Sequence, residues 1–451
     1  MKINLLLGII SIFNIQLIQA QKIIIQDPVI TEMVKEISVE NIKTNVLKLA
    51  SFGTRHTLSD TVNKDRGIGA ARRWVKSQFD EYAKVSEGRF SAKMDNYTIV
   101  ADGRRIPEDV ASANVLGILK GTDATDNRVF LITGHLDSRA TDVMNNTIDA
   151  PGANDDASGV AVVMELARIM ANREFSATII FMAVTGEEQG LYGATYMAES
   201  MLQDSVNLTA VINNDMIGNS TSSGTNLSDN MQVRVFSEGV PAYETEEMAR
   251  MRRYTSAEND SKSRQLARYI KEIGERYVDQ IEVKLVFRND RFLRGGDHTP
   301  FARKGFTAVR MCEMNENYYR QHQTVRVEDG IQYGDLPEFI DFEYARKNAG
   351  LNLATLANLA LAPAAPVSVK VDVSNLSNDT RLVWDNPIVG KQPKGFFVLM
   401  RETFEPLWMK KIYVEGNEVV LPYSKDNYFF AVQSVDANGH ESLPVFPVPQ
   451  R

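Results

Sequence analysis

Four short segments of this sequence combine histidine or acidic residues with glycine, each next to an apolar run. The segments are Thr133-Gly-His135-Leu-Asp137-Ser138, Pro151-Gly-Ala-Asn-Asp155-Asp156-Ala-Ser-Gly159, Val184-Thr-Gly-Glu187-Glu188-Gln-Gly190 and Asn213-Asn-Asp215-Met-Ile-Gly218. Taken alone, a histidine at a strand end is usually only hydrogen-bonded, and aspartates before a helix usually cap it. Glu187 and Glu188 need more explanation, because adjacent carboxylates after an apolar strand repel each other and each needs a cation or a proton.

Together, the four segments supply most of the ligands that a two-metal hydrolase requires. In such a site one carboxylate bridges two ions, each ion takes a further carboxylate and an imidazole, and another carboxylate acts as the base. Asp137, two residues after His135, is placed to accept the second ring N–H of that histidine and so to fix its tautomer. The pattern therefore favours metal-assisted hydrolysis.

Alternating strands and helices must bring these segments together. Runs of strand length occupy 114–119, 129–133, 177–185, 209–213 and 306–311, and helical spacing occupies 29–49, 63–84, 159–172, 191–202 and 261–277. Ser158 is a candidate cap for the helix at 159–172. This order predicts an α/β fold with a mixed, mainly parallel sheet flanked by helices, in which chemistry collects at the carboxyl ends of the strands.

The sequence changes character after the small-residue linker 361–366. Short alternating strands separated by turns, at 367–373, 380–384, 395–401, 411–414 and 428–435, predict an all-β sandwich. This part resembles a fibronectin type III domain, with Trp384 expected in its core. We therefore expect one domain at 21–362 and a second at 363–451, the second contacting other proteins or surface glycans.

The first twenty residues read as a secretory signal peptide, since Lys2 is followed by a mostly apolar run that ends at Ala20. We therefore expect an exported protein, periplasmic or extracellular, without stable membrane insertion. The hydrophobic content of 43% excludes a disordered chain, and a net charge of −8 argues against binding to nucleic acid. Cys312 is the single cysteine, so neither an intrachain disulfide nor a cysteine-built zinc site is expected.

Over roughly residues 110–340 the four segments resemble the M28 family of zinc-dependent exopeptidases. The resemblance implies two Zn²⁺ ions per chain and a role for each residue of the motifs. It implies His135, Glu188 and Asp215 as terminal ligands, Asp155 as the bridging ligand, Glu187 as the general base, Asp137 as the group that orients His135, and Asp156 as a supporting residue. It also implies a non-proline cis peptide between Asp155 and Asp156.

The resemblance requires one more histidine ligand, and two residues compete for this role. His322 has the expected order along the chain, after the strand at 306–311, whereas His298 lies before that strand. We therefore expect His322 to be the ligand and His298 to be a site-lining or structural residue. Tyr318 and Tyr319, close to His322, are candidates for holding the oxyanion.

These expectations predict a secreted di-zinc metallopeptidase, an aminopeptidase that removes N-terminal residues from peptide or protein substrates. One alternative is an acyltransferase of the glutaminyl cyclase type, which uses a single zinc on a related scaffold. Another is a non-enzymatic protein whose β domain serves adhesion or binding. Metal content distinguishes these functions. Two zinc ions per chain are expected for the peptidase, one for the cyclase type and none for the binding protein.

Overall fold

A large β-sheet at the centre of the N-terminal part carries the four segments. The computed structural model describes residues 26–450, so the predicted signal peptide at 1–20 lies outside the described residues. Within this range the sheet has eight strands: β1 (Phe90–Ile99), β2 (Val110–Leu119), β3 (Arg128–His135), β4 (Thr178–Val184), β5 (Asn207–Asn214), β6 (Gln232–Ser237), β7 (Glu282–Val286) and β8 (Ala308–Glu313). No helix of the described range is long and apolar enough to cross a membrane.

The strand order places the ends of β3, β4 and β5 at the middle of one sheet edge. The order is β1-β2-β4-β3-β5-β8-β6-β7. β3 runs parallel to both β4 and β5, and β5 runs parallel to β8. Three pairs are antiparallel: β1 with β2, β2 with β4, and β6 with β8. The predicted mixed, mainly parallel α/β sheet is therefore confirmed.

Helices cover both faces of the sheet. They are α1 (Pro28–Lys35), α2 (Val39–Ala50), α3 (Ile68–Ala83), α4 (Ala157–Met170), α5 (Glu187–Gly190), α6 (Tyr192–Gln203), α7 (Glu246–Thr255), α8 (Lys262–Tyr277), α9 (His298–Arg303) and α10 (Phe342–Leu361). Along β3, Phe130 and Ile132 pack into the core that contains α4, whereas Leu131 packs into the core on the α6 side. This alternation explains why the strand is apolar on both faces.

Some helix boundaries differ from those predicted. The spacing at 29–49 belongs to two helices, and Ser38 caps the second by accepting a hydrogen bond from Asn41 N. The cap of α4 is Asp156, which accepts from Gly159 N, so the prediction of Ser158 as the cap was wrong. The 20-residue helix α10 was not predicted, because it is buried on nearly all sides and shows little alternation of apolar and polar residues.

Smaller elements and a β-sandwich complete the described chain. A hairpin of β9 (Arg326–Glu328) and β10 (Ile331–Tyr333) and a 3₁₀ turn at Pro337–Phe339 precede α10. The sandwich strands are β11 (Val367–Asp372), β12 (Thr380–Asp385), β13 (Gly395–Glu402), β14 (Lys410–Val414), β15 (Glu418–Leu421), β16 (Tyr428–Val435) and β17 (Val448–Gln450). They form the sheets β15-β12-β11-β17 and β14-β13-β16.

The two small sheets pack face to face around Trp384, which is 3% exposed and contacts the ring of Phe396 edge-on. The predicted all-β sandwich is thereby confirmed. Its assignment to the fibronectin type III family stays a prediction, as do the domain boundaries.

Candidate active site

The four segments meet where β3, β4 and β5 end. His135 is the last residue of β3 and lies level with Val184 in β4. Asp215 directly follows β5, and Asp155 directly precedes the cap of α4. Glycine lets these elements approach closely, because a Cβ at Gly159 would lie 2.5 Å from the carbonyl oxygen of Asn214.

Two ligand clusters share the carboxylate of Asp155. His135 Nε2 lies 2.9 Å from Asp155 Oδ1 and 3.8 Å from Asp215 Oδ1. His322 Nε2 lies 2.9 Å from Asp155 Oδ2 and 3.1 Å from Glu188 Oε1. In each cluster the three ligand atoms lie within 4.8 Å of one another. The structure thus brings together all five residues that the sequence proposed as metal ligands.

The donor set and its burial fit a metal site. Each cluster offers one imidazole nitrogen and two carboxylates, the ligand types that zinc accepts. Glu188 Oε1 is buried and lies 3.1 Å from His322 Nε2, an atom of the same ligand cluster. A buried carboxylate oxygen of this kind is costly unless a cation compensates its charge. The structure also has the cis peptide between Asp155 and Asp156 that the motif implies.

The carboxylate of Asp137 holds the backbone that carries the two glutamates, whereas His135 contacts the backbone oxygen of Asp137. Its Oδ1 accepts from Gly186 N at 3.0 Å and Glu187 N at 3.2 Å, and its Oδ2 accepts from Glu188 N at 3.1 Å. The partner of His135 Nδ1 is the backbone oxygen of Asp137, at 3.0 Å. The sequence therefore predicted the right residue as the partner of His135 but the wrong atom. The carboxylate of Asp137 is occupied by three backbone N–H groups, and its backbone oxygen contacts His135 instead.

Asp156 lies beneath the site and joins three elements. Its carboxylate accepts from His135 N, Gly159 N and Met216 N, at 3.0, 3.0 and 3.1 Å. One buried side chain thus fixes the end of β3, the start of α4 and the residue after Asp215.

An open cavity of about 420 Å³ lies over the two clusters, and Glu187 lines it. Three residues expected to line the site are absent from the cavity wall of the described chain: His298, Tyr318 and Tyr319. His298 instead has its Nε2 2.8 Å from the backbone oxygen of Asn289. The Tyr319 ring packs edge-on against Tyr333, and Tyr318 is 58% exposed. These three side chains are directed to other neighbours and do not line the cavity of the described chain, and a supporting role for them beyond its wall stays a prediction.

Opposite pKa shifts distinguish the histidines. Burial lowers the pKa of His298. Burial also acts to lower the pKa of His322, but Glu188 and Asp155 outweigh it and raise that pKa to about 10. Asp155 and Asp215 likewise raise the pKa of His135 well above its usual value against the effect of burial. His135 and His322 therefore lie in strongly negative surroundings that favour a bound cation.

Several residues around the clusters were not predicted. Arg310, fully buried in β8, places Nη2 2.8 Å from Asp215 Oδ1. Asp335 accepts from Asp155 N at 2.7 Å. Arg139 Nη2 lies 2.9 Å from His322 Nδ1. A charged residue within the apolar run at 306–311 could have indicated Arg310, whereas Asp335 and Arg139 are brought to the site only by the tertiary fold.

Comparisons with known proteins place this site in context. A model described as peptidase family M28 matches residues 114–341. A probable zinc metalloprotease of Leptosphaeria maculans is 46% identical over 423 residues, 93% of this chain and 97% of that protein. A probable zinc metalloprotease of Pyrenophora teres f. teres is 44% identical, over 94% of this chain and 87% of that protein.

Solved structures show a similar fold at lower identity. The LapA aminopeptidase of Legionella pneumophila has a TM-score of 0.52 at 19% identity, covering 75% of this chain and 78% of that one. An aminopeptidase from Aneurinibacillus sp. strain AM-1 has a TM-score of 0.52 at 14% identity, covering 72% and 95% of the two chains.

Proposed function

The chain belongs to peptidase family M28, and from this premise we propose that it is an exported aminopeptidase that holds two zinc ions. The observation that carries the proposal is the carboxylate of Asp155, whose two oxygens each lie 2.9 Å from a different histidine. A carboxylate shared in this way is the arrangement needed to bridge two ions. The names of the related probable zinc metalloproteases support zinc as the metal.

Asp155 would be shared between the ions, with His135 and Asp215 completing one set and Glu188 and His322 the other. Zinc bound there supplies a Lewis acid for the scissile carbonyl and lowers the pKa of an attacking water. The chain must hold these ligands in place: Arg310 contacts Asp215, and Asp335 fixes the backbone at Asp155.

Glu187 is the proposed general base. Its carboxylate would take a proton from the attacking water and later deliver it to the leaving amine. Asp137 fixes the backbone at Glu187, and the side chain lines the cavity beside the ligands without belonging to either ligand cluster. Burial raises the pKa of Glu187, His135 opposes the shift, and Asp215 and Glu188 add to it. This environment favours proton uptake.

The polarity of cleavage and the export are parts of the same proposal. Aminopeptidase polarity is supported by the names of the two structures that share the fold. Export rests on the signal-peptide pattern of residues 1–20. The sandwich, which supplies no proposed ligand, would serve contacts to other proteins or to surface glycans.

The test is a zinc determination together with a substrate panel. Purified protein should hold about two zinc ions per chain and cleave peptides with a free N-terminus but not their N-acetylated forms. Cleavage of the acetylated peptides from the other end would refute aminopeptidase polarity. One zinc ion per chain together with cyclisation of N-terminal glutamine would instead support the cyclase alternative. Absence of zinc would support a non-enzymatic binding protein.

A further inference from the structure

The wall of the cavity is unusually rich in arginine. Apart from the proposed ligands and Glu187, the lining includes Arg105, Arg139, Arg291 and Arg294. Leu191 is the one aliphatic side chain among the lining residues of the described chain. Pockets for small ligands are usually lined mainly by hydrophobic side chains with few polar groups. This cavity is therefore poorly suited to an apolar side chain.

The positive charge of this wall is only partly compensated. Glu316 alone accepts from three arginines: Arg234 at 2.8 Å, Arg291 at 3.1 Å and Arg294 at 3.1 Å. Asp290 does not restore the balance, because it is shared between Arg291 and Arg310. Arg139 is paired as well, because its Nε lies 3.4 Å from Glu188 Oε2, whereas no acidic side chain of the described residues forms an ion pair with Arg105. Positive charge therefore remains uncompensated at Arg105 and among the three arginines around Glu316, although the chain as a whole has a net charge of −8.

Arg294 is the best placed of these residues to meet a ligand. Its side chain is 33% exposed, and its Nη1 donates to Glu316. That is the one hydrogen bond of its side chain among the described residues, and a guanidinium has five N–H donors in a planar fork. The next residue is Gly295, so no side chain screens Arg294 from the cavity on that side.

Arg139 also lines the cavity, but it contacts two proposed ligands. Its Nη2 lies 2.9 Å from His322 Nδ1, and its Nε lies 3.4 Å from Glu188 Oε2. Arg139 therefore supports the ligand cluster, and Arg294 remains the main donor that the wall offers to a ligand.

We propose that the arginine wall recognises a carboxylate on the substrate residue beside the scissile bond. Guanidinium forks match carboxylates in geometry and charge, and a concave wall of one sign attracts the opposite charge. The inference rests on the proposed function. The carboxylate belongs either to the side chain of an N-terminal glutamate or aspartate, or to the free α-carboxylate of a C-terminal residue.

The test compares isosteric substrates on the zinc-loaded enzyme. Glutamyl p-nitroanilide should be cleaved with a kcat/KM at least about tenfold above those of the glutaminyl and leucyl compounds. Arg294→Ala should lower the glutamyl value about 10–100-fold and the glutaminyl value much less, and Arg294→Lys should restore part of the difference. Arg288→Ala is the matched control, because Arg288 is an exposed arginine of the same loop outside the cavity lining.

Binding gives a readout independent of turnover. Calorimetric titration of the zinc-loaded Glu187→Gln variant should show tighter binding of L-glutamate than of L-glutamine, and the difference should shrink with Arg294→Ala added. A second comparison tests whether the carboxylate is the α-carboxylate of a C-terminal residue. It uses N-acetylated peptides that have either a free or an amidated C-terminus. Preference for the free acid among these would keep carboxylate recognition while refuting aminopeptidase polarity.

Two results would overturn the inference. One is equal or better cleavage of the glutaminyl or leucyl compound, and the other is a glutamyl-to-glutaminyl ratio that Arg294→Ala leaves unchanged. The proposed function fails differently, since then no anilide with a free amine is cleaved, whatever its side chain.

Discussion

Glu187 and Glu188 are neighbours in sequence with different expected roles. Glu188 belongs to a ligand cluster, whereas Glu187 lines the cavity outside both clusters. Glu187→Gln should therefore keep both zinc ions and lose about 10²–10⁴-fold in kcat, because an amide cannot accept the proton of the attacking water. Glu188→Gln is the matched variant and should lower zinc content. Near-normal kcat in Glu187→Gln would remove this residue from the mechanism.

The two histidines that compete as the last metal ligand differ in the groups that their Nε2 atoms contact. His322 Nε2 faces two carboxylates, while His298 Nε2 faces a backbone oxygen. His322→Ala should bind about one zinc and lose activity, whereas His298→Ala should keep about two. Metal analysis of the folded fraction after gel filtration measures this directly. If His298→Ala lost an ion and His322→Ala kept two, the two assignments would have to be exchanged.

Among the elements, the start of α4 is bound most closely to the site, because Asp156 caps the helix and also holds β3 and the residue after Asp215. Asp156→Asn keeps the shape but turns an N–H₂ group toward backbone donors. It should cost about 1–3 kcal/mol of unfolding free energy and about 10–100-fold in zinc affinity.

The control for Asp156→Asn is Thr245→Ala, which removes the cap of the exposed helix α7. That variant should cost about 1 kcal/mol and leave zinc affinity unchanged. Denaturant unfolding and competitive chelation measure the two quantities. If Asp156→Asn bound zinc as tightly as the unsubstituted protein, Asp156 would stabilise the helix without positioning the ligands.

The elements also show how far the sequence could lead. The strands β3, β4 and β5 were predicted because they are short, apolar and followed by glycine and acidic residues, and the ligand motifs at their ends are local in sequence. The roles of Asp137 and Asp335 could not be predicted, since both depend on which backbone N–H groups the tertiary fold brings to a carboxylate. His322 adopts a φ of 56°, a conformation that its local sequence did not indicate.

At the scale of the whole molecule, buried polar contacts join the sandwich to the N-terminal part. Tyr269 of α8 donates to the backbone oxygen of Glu441 at 2.6 Å. His440 Nε2 lies 2.6 Å from Asp27 Oδ2, and Asp27 caps α1. Deletion of the sandwich would expose these groups, so we expect it to destabilise the N-terminal part although every proposed ligand lies outside the sandwich.

Asp260 is the central charge of this interface. Its Oδ2 accepts from Arg401 in the sandwich at 2.6 Å, and its Oδ1 accepts from Arg268 in α8 at 3.2 Å. The side chains of all three residues are at most 2% exposed. Burial lowers the pKa of Arg268 to about 10, and Asp260 opposes that shift. The acid thus compensates two guanidinium groups that have little access to water.

Asp260→Asn should therefore cost about 3–5 kcal/mol of unfolding free energy, because it leaves two buried cations without their counter-charge. The control is Glu418→Gln, which breaks the exposed pair with Arg381 and should cost at most about 1 kcal/mol. Denaturant unfolding gives both values, and limited proteolysis between residues 361 and 367 reports whether the sandwich separates. Zinc content of the folded Asp260→Asn protein should stay unchanged, since no proposed ligand contacts Asp260. A cost no larger than that of the surface control would show that this buried cluster does not hold the two parts together.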